Sequence, residues 1–242
     1  MLDHLDPRAL MAASNNADLY AAVFGAHRVS YRRTPFCFVA EDQPPPYYAC
    51  LTTTSVEDAE GQDSEIAVAR QRFGKSFGFK DSFCRYDMSE TGMRLLFTAS
   101  WILRPPVPYE PKQLPQGWAK VDQVDELVAW EDAWQASGSP ASQRVFPIPL
   151  LGREDFFFLG CKAEGRWLAG CIANLSHGSV GLSNVFSRDP DYPVHRFAVE
   201  ALTALVPELP IVGYDSGADL QSMLSLGFSP VGDLRVWVEE ES

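Results

Sequence analysis

Few side chains in this sequence can move a proton near neutral pH. The four histidines are His4, His27, His177 and His195. None is spaced with another, or with a cysteine, as metal ligands are, so no metal site is expected. His177 sits in Ser-His-Gly-Ser, a turn composition. An imidazole titrates near neutrality, which suits a general base that takes a proton from an ammonium group; an exposed turn histidine is the plainer reading. Tyr214 and Asp215 follow Pro210–Gly213 at the end of a short apolar run. There they become a second candidate pair for proton transfer. The five cysteines, Cys37, Cys50, Cys84, Cys161 and Cys171, are odd in number and include no Cys-x-x-Cys. Buried free thiols are expected, not a disulfide framework. Gly-x-Ser-x-Gly is absent, and Arg72–Phe79 lacks the glycine and lysine spacing of a phosphate-binding loop.

Composition narrows the partners. The chain has 242 residues, 46% hydrophobic and 21% charged, with net charge −12. The first 114 residues carry 14 acidic and 12 basic side chains, whereas the remainder carries 18 and 8. An acidic field repels phosphate backbones, so neither nucleic acid nor an anionic membrane is expected as partner. It weakly favours a cationic acceptor such as an amine. No apolar run approaches the ~18 residues of a membrane span. Residues 1–20 lack the apolar core of a signal peptide, and a cytoplasmic protein is expected.

The elements that must position these side chains are clearest in the second half. Arg104–Trp118 contains five prolines and reads as a connector. The expected division is therefore 1–104, a linker 105–117, and 118–242. Beyond the linker, Asp122–Ser137 has the apolar stripe Val124, Leu127, Val128, Trp134 of an amphipathic helix. Two apolar runs around Glu164-Gly165 predict a hairpin, and Ser179–Ser187 a third strand. A helix containing Phe197, Ala201, Leu202 and Leu205 follows, then a strand ending at Asp215, a helix over Ser216–Leu226 and a last strand over Val231–Val238. Gly227 lies where a helix cap belongs. The first half reads more faintly. Phe36–Ala40 and Tyr47–Ser55 suggest paired strands, and Asp63–Phe79 a helix with Ile66, Ala69 and Phe73 inward. Both halves contain Tyr-Asp before a short helix and a tryptophan-bearing strand, with Trp101 in one and Trp237 in the other. Internal duplication and chance both explain that echo.

Three local features in that order resemble the GNAT superfamily of acyl-CoA N-acyltransferases: the glycine-containing hairpin Phe156–Leu175, Pro190-Asp191-Tyr192 before a helix, and Leu226-Gly227-Phe228 between the last helix and last strand. The resemblance covers about residues 115–240. It implies an α/β fold, with mixed α+β sheet. Tandem members of the superfamily, in which one copy is degenerate, suggest two related halves here.

What the resemblance implies for the site follows residue by residue. Acetyl-CoA is the implied acyl donor. Main-chain groups near Asn184, Val185 and Phe186 would hold its pantetheine, and His195, Arg196 and Ala198 would lie at its pyrophosphate, beside a helix start suited to phosphate. The sequence departs from the family pattern in two places. Arg196 replaces the first glycine of the pyrophosphate loop, with Pro193 at its polar first position. Met223 replaces the tyrosine that serves many members as general acid. His177 and Tyr214 are the candidate catalytic residues in its stead. Two functions stay open: an N-acetyltransferase acting on a small amine or an amino terminus, and a non-catalytic protein that keeps the fold without the CoA chemistry. The sequence does not specify an oligomeric state.

Overall fold

A computed structural model describes residues 5–107 and 113–240. The middle of the proline-rich connector, 108–112, lies outside the described residues, as does His4. Among the described residues, eleven strands form one sheet. In chain order they are β1 (Tyr31–Arg33), β2 (Cys37–Ala40), β3 (Leu51–Thr53), β4 (Gly78–Asp81), β5 (Met93–Arg104), β6 (Trp118–Val121), β7 (Phe156–Ala163), β8 (Arg166–Ser176), β9 (Ser179–Ser187), β10 (Ile211–Asp215) and β11 (Ser229–Glu239). The spatial order is β1-β2-β3-β4-β11-β5-β10-β9-β8-β7-β6. All neighbours pair antiparallel except β3–β4 and β9–β10.

The α-helices of the described residues cover the sheet: α1 (Pro7–His27), α2 (Ala59–Phe73), α3 (Val124–Ala136), α4 (Val194–Leu205) and α5 (Gly217–Ser225). The parallel pairs each need a crossover, supplied by α2 between β3 and β4 and by α4 between β9 and β10. Each half therefore holds a parallel strand–helix–strand unit and then a long strand. Those long strands are exchanged. β5, from the first half, pairs with β10, while β11, from the second half, pairs with β4; the two lie side by side. The halves thus share one continuous sheet.

α1 was not anticipated from the sequence, although its signals are present. Asp6 accepts the Arg8 amide as N-cap and Pro7 stands at the first helical position. Its alanine-rich face fits a helix that lies close against strands. Ala9, Ala12 and Ala13 meet Trp101, Val212 and Leu234, whereas Leu19 and Val23 meet Phe158 and Ile172, and Tyr20 and Phe24 meet Phe38. One helix therefore ties both halves together. α3 packs on the same face, with Trp130 and Trp134 in its core. α4 and α5 cover the opposite face through Ala198, Leu202 and Met223.

The helix anticipated over Asp63–Phe79 ends earlier. Gly74, at φ 51°, breaks it, and Gly78–Asp81 becomes β4, buried beside β11. The Tyr-Asp echo also shifts: Tyr214-Asp215 ends β10, but Tyr86-Asp87 lies in the loop after β4. Cys37, Cys50, Cys161 and Cys171 are buried free thiols, and all six tryptophans are buried.

Candidate active site

The site is created where β9 and β10 part. They pair only at Val180–Ile211 and Gly181–Val212, although β9 runs on to Ser187 and β10 to Asp215. A bulge in β9 widens the opening. Ile172 pairs with Ser183 and Gly170 with Phe186, which leaves Asn184 and Val185 opposite Cys171. Asn184 takes the left-handed conformation, φ 52°, that asparagine tolerates better than most residues. Main-chain groups at this point are released from the ladder.

A cavity of about 740 Å³ fills the opening. Ser183, Asn184, Val185, Gly213, Tyr214 and Asp215 line it from the strands. Asn15, Asn16 and Tyr20 of α1 line one side, while His195 of α4 and Asp219 of α5 line the other. Gly181 lets α1 approach this closely. A Cβ there would overlap Asn15 Oδ1 and Asn174 Oδ1. Those amides form a buried pair: Asn174 Nδ2 donates to Asn15 Oδ1 at 2.9 Å, and Asn15 Nδ2 donates to Ser179 Oγ at 3.1 Å.

Three titratable groups gather at the mouth. Asp215 closes β10, and burial, with the nearby Asp219 carboxylate, pushes its pKa up to about 7. His195 Nε2 lies 3.8 Å from Asp219 Oδ1, and burial lowers the imidazole's pKa against the pull of that carboxylate. A carboxyl group that titrates near neutrality inside a cavity is suited to accept a proton from an incoming ammonium. Deeper in, the Lys80 ammonium accompanies Tyr214. Its Nζ donates to Asn16 Oδ1 at 2.8 Å and lies 4.8 Å and 4.6 Å from the ring centres of Tyr20 and Tyr214. Burial lowers its pKa. Among the described residues it has no carboxylate within ion-pair distance, and the ring faces and amide carry the charge instead.

The residues singled out from the sequence divide. Asn184, Val185, His195 and Tyr214 line the cavity. Tyr214 also meets Trp101 edge-on at 5.4 Å. Phe186 turns into the core against Trp130, at 5.0 Å, and Ala198 is fully buried under the sheet. Arg196 lies on the exposed side of α4, where its Nε donates to Glu200 Oε1 at 2.9 Å. His177 sits in the β8–β9 turn, 3.2 Å from Asp18, and lines a separate hollow. Met223 is buried in the core and does not line the cavity, so this position is closed to proton transfer by placement as well as by chemistry. Sequence reasoning missed Lys80, Asn16 and Tyr20, which come from the first half. It did name Asp215, beside Tyr214, as a candidate for proton transfer. Among the described residues no cluster of His, Cys, Asp and Glu could hold a metal ion.

α4 begins without a side-chain cap, from Pro193. The loop before it is held by its own bonds: Tyr192 stacks on Phe197 at 5.3 Å, and Trp118 Nε1 donates to the Tyr192 hydroxyl at 2.9 Å. An uncapped helix start at the edge of parted parallel strands is an arrangement that receives a phosphate-bearing ligand.

No family model matches this sequence, and no curated protein matches it. Solved structures do. A GCN5-related N-acetyltransferase from Kribbella flavida is similar over 93% of this chain and 96% of its own, at 14% identity and a TM-score of 0.62. One from Sphaerobacter thermophilus is similar over 96% and 90%, at 11% identity and 0.52. Saccharomyces cerevisiae N-myristoyltransferase with bound myristoyl-CoA is similar over 84% of this chain and 61% of its own, at 10% identity and 0.55. The chain has the GNAT fold, with a large mixed sheet.

Proposed function

We propose that this chain is an acyl-CoA-dependent N-acyltransferase, with acetyl-CoA as donor and a small amine or an amino terminus as acceptor. The observation that carries the reading is the parting of β9 and β10 around a cavity that ends at Asp215. The residues fit the donor: Asn184 and Val185 offer main chain released by the bulge, and His195 lies at the uncapped start of α4. When bound, acyl-CoA supplies the activated acyl group. Asp215 takes the proton from the acceptor ammonium, and the cavity walls hold the free amine in place for attack. Tyr214 and Lys80 shape the far wall. The second half, 118–242, holds most of the site; we read 1–104 as a related half and 105–117 as the connector. The net charge of −12 argues against nucleic-acid and anionic-membrane partners, and a cytoplasmic location is kept as part of the proposal. No described helix is long and apolar enough to cross a membrane.

A second reading, a binding protein that keeps the fold and not the chemistry, is favoured by Arg196, which turns to Glu200 and leaves the helix start without that cation. Isothermal titration with acetyl-CoA, with CoA as control, separates the two when combined with release of free thiol over a panel of amines. Saturable binding with thiol release is expected. Binding without thiol release from any amine favours the second reading, and absence of binding sinks the donor assignment.

A further inference from the structure

β10 stops at Asp215, opposite Ser100, but β5 continues to Met93. Over that stretch β5 is paired on one edge only, by β11, through Thr98–Arg235, Phe97–Val236 and Leu95–Trp237. Its other edge carries no strand among the described residues. Arg94, Leu95, Leu96, Phe97 and Thr98 are all exposed, flanked by buried Met93 and Ala99. Three of them are large apolar side chains, 44%, 47% and 36% exposed. An open, apolar strand edge offers a row of unpaired amides and carbonyls and is ordinarily blunted by charge or cover. Here it is left bare at the mouth of the cavity, which Leu96 and Phe97 line beside Tyr214 and Asp215.

The geometry points to an acceptor that is an extended peptide, docked as an added strand on the Arg94–Thr98 edge with its free amino terminus at Asp215. This inference rests on the acyltransferase reading and names its substrate class. Strand direction carries it. β10 runs antiparallel to β5 and ends at Ser100. A peptide that continues the line of β10 in the same sense has its first residue beside Asp215 and its later residues along Phe97, Leu96 and Leu95. Five residues of edge span about 17 Å, room for the first five residues of a chain. Backbone hydrogen bonds would give affinity without a fixed sequence, and alternate side chains would meet the apolar face. The cavity carries both signs of charge, with Lys80 and Arg94 in its lining and Glu239 held by Arg70, but the Asp215 and Asp219 carboxyl groups stand at the end of β10, where an α-ammonium would sit.

The test uses the full chain without acyl-CoA. A pool of heptapeptides of randomised sequence with free amino termini is passed over the immobilised protein. Retained members are resynthesised and titrated by fluorescence anisotropy. We expect Nα-acetylation to weaken binding at least about tenfold and methylation of alternate peptide amides to abolish it in one phase only. Amide hydrogen exchange should slow at residues 94–98. The variant L95K changes an exposed side chain that does not line the cavity; it should lose peptide affinity by a similar factor while its acetyl-CoA titration stays unchanged. Failure to retain any peptide, indifference to Nα-acetylation, or a dimer of this chain that covers 94–98 would each overturn the proposal. Peptide binding with no acetyl-CoA binding would instead sink the acyltransferase reading and leave the docking edge standing.

Discussion

The two parallel strand pairs of this protein have the same topology and opposite fates. β3 and β4 pair at Leu51–Phe79 and Thr52–Lys80, as β9 and β10 pair at Val180–Ile211 and Gly181–Val212. Past its short parallel ladder the first pair is filled by its own polar side chains. Thr52 and Ser82 share a hydroxyl bond at 3.1 Å, the Ser82 amide donates to Thr53 Oγ1 at 2.9 Å, and Asp81 accepts the Tyr86 amide at 2.8 Å. The second pair is left open, and its terminal Asp215 faces a cavity. One supersecondary unit thus serves as core where its splay is satisfied internally and as a site where it is not. Burial raises the pKa of both terminal aspartates. Only Asp215 has room beside it for a ligand.

The largest effect that would sharpen this contrast is on turnover. Asp215→Asn should lower kcat/KM by about 10²–10⁴-fold, the range for a lost general base. Asp81→Asn should leave turnover near wild type and cost about 1 kcal/mol of stability through the lost acceptor. Equal losses of activity from the two would break the distinction. Next in size, Gly181→Ala should destabilise by about 1–3 kcal/mol in urea unfolding, because its Cβ overlaps the Asn15 and Asn174 amides.

A pH effect comes third. Asp215 holds its proton more tightly folded than unfolded, since its pKa is raised from 3.8 to about 7. Between those values the native state binds the extra proton, so this group's contribution is present at acid pH and is lost as pH rises through 7. Asp215→Asn, which cannot ionise, should match wild type near pH 4 and melt several degrees higher near pH 8, measured by calorimetry. The smallest effect belongs to Arg196. With its guanidinium on Glu200 at the surface, Arg196→Ala should change stability by under about 0.5 kcal/mol and leave acetyl-CoA affinity unaltered. A clear loss of affinity would show that the side chain leaves Glu200 to meet the ligand.

Much of the second half was legible because its signals are local. The hairpin turn at Glu164-Gly165 and the stop at Gly227 depend on near neighbours in the chain, whereas of the stripe read for α3 only Leu127 and Trp134 are buried, and Val124 and Val128 face outward while Trp130 and Ala133 take the inner positions. The bulge at Asn184 was not legible in the same way; only pairing with β8 shows that two residues oppose one. Asn184, Val185, His195 and Tyr214 were reached through the order of elements, and they do meet. Arg196 and Ala198 neighbour His195 in sequence, but helical periodicity turns them to solvent and to core. The first two residues of β4, Gly78 and Phe79, were read into a helix because Arg70–Phe79 has no alternation: a strand buried among others shows none.

By itself, then, the sequence determined a mixed α/β protein, acidic in its second half, whose last 125 or so residues fold in GNAT order. Hydrophobic period, turn residues and net charge are properties of adjacent letters and survive without a partner. Only the tertiary structure decided that β5 and β11 change places, that Lys80 and Tyr20 of the first half reach Tyr214 of the second, and that a bare edge of β5 lies in line with Asp215. Those contacts join residues far apart in the chain. Their free energy comes from burial and strand pairing, which no local pattern encodes.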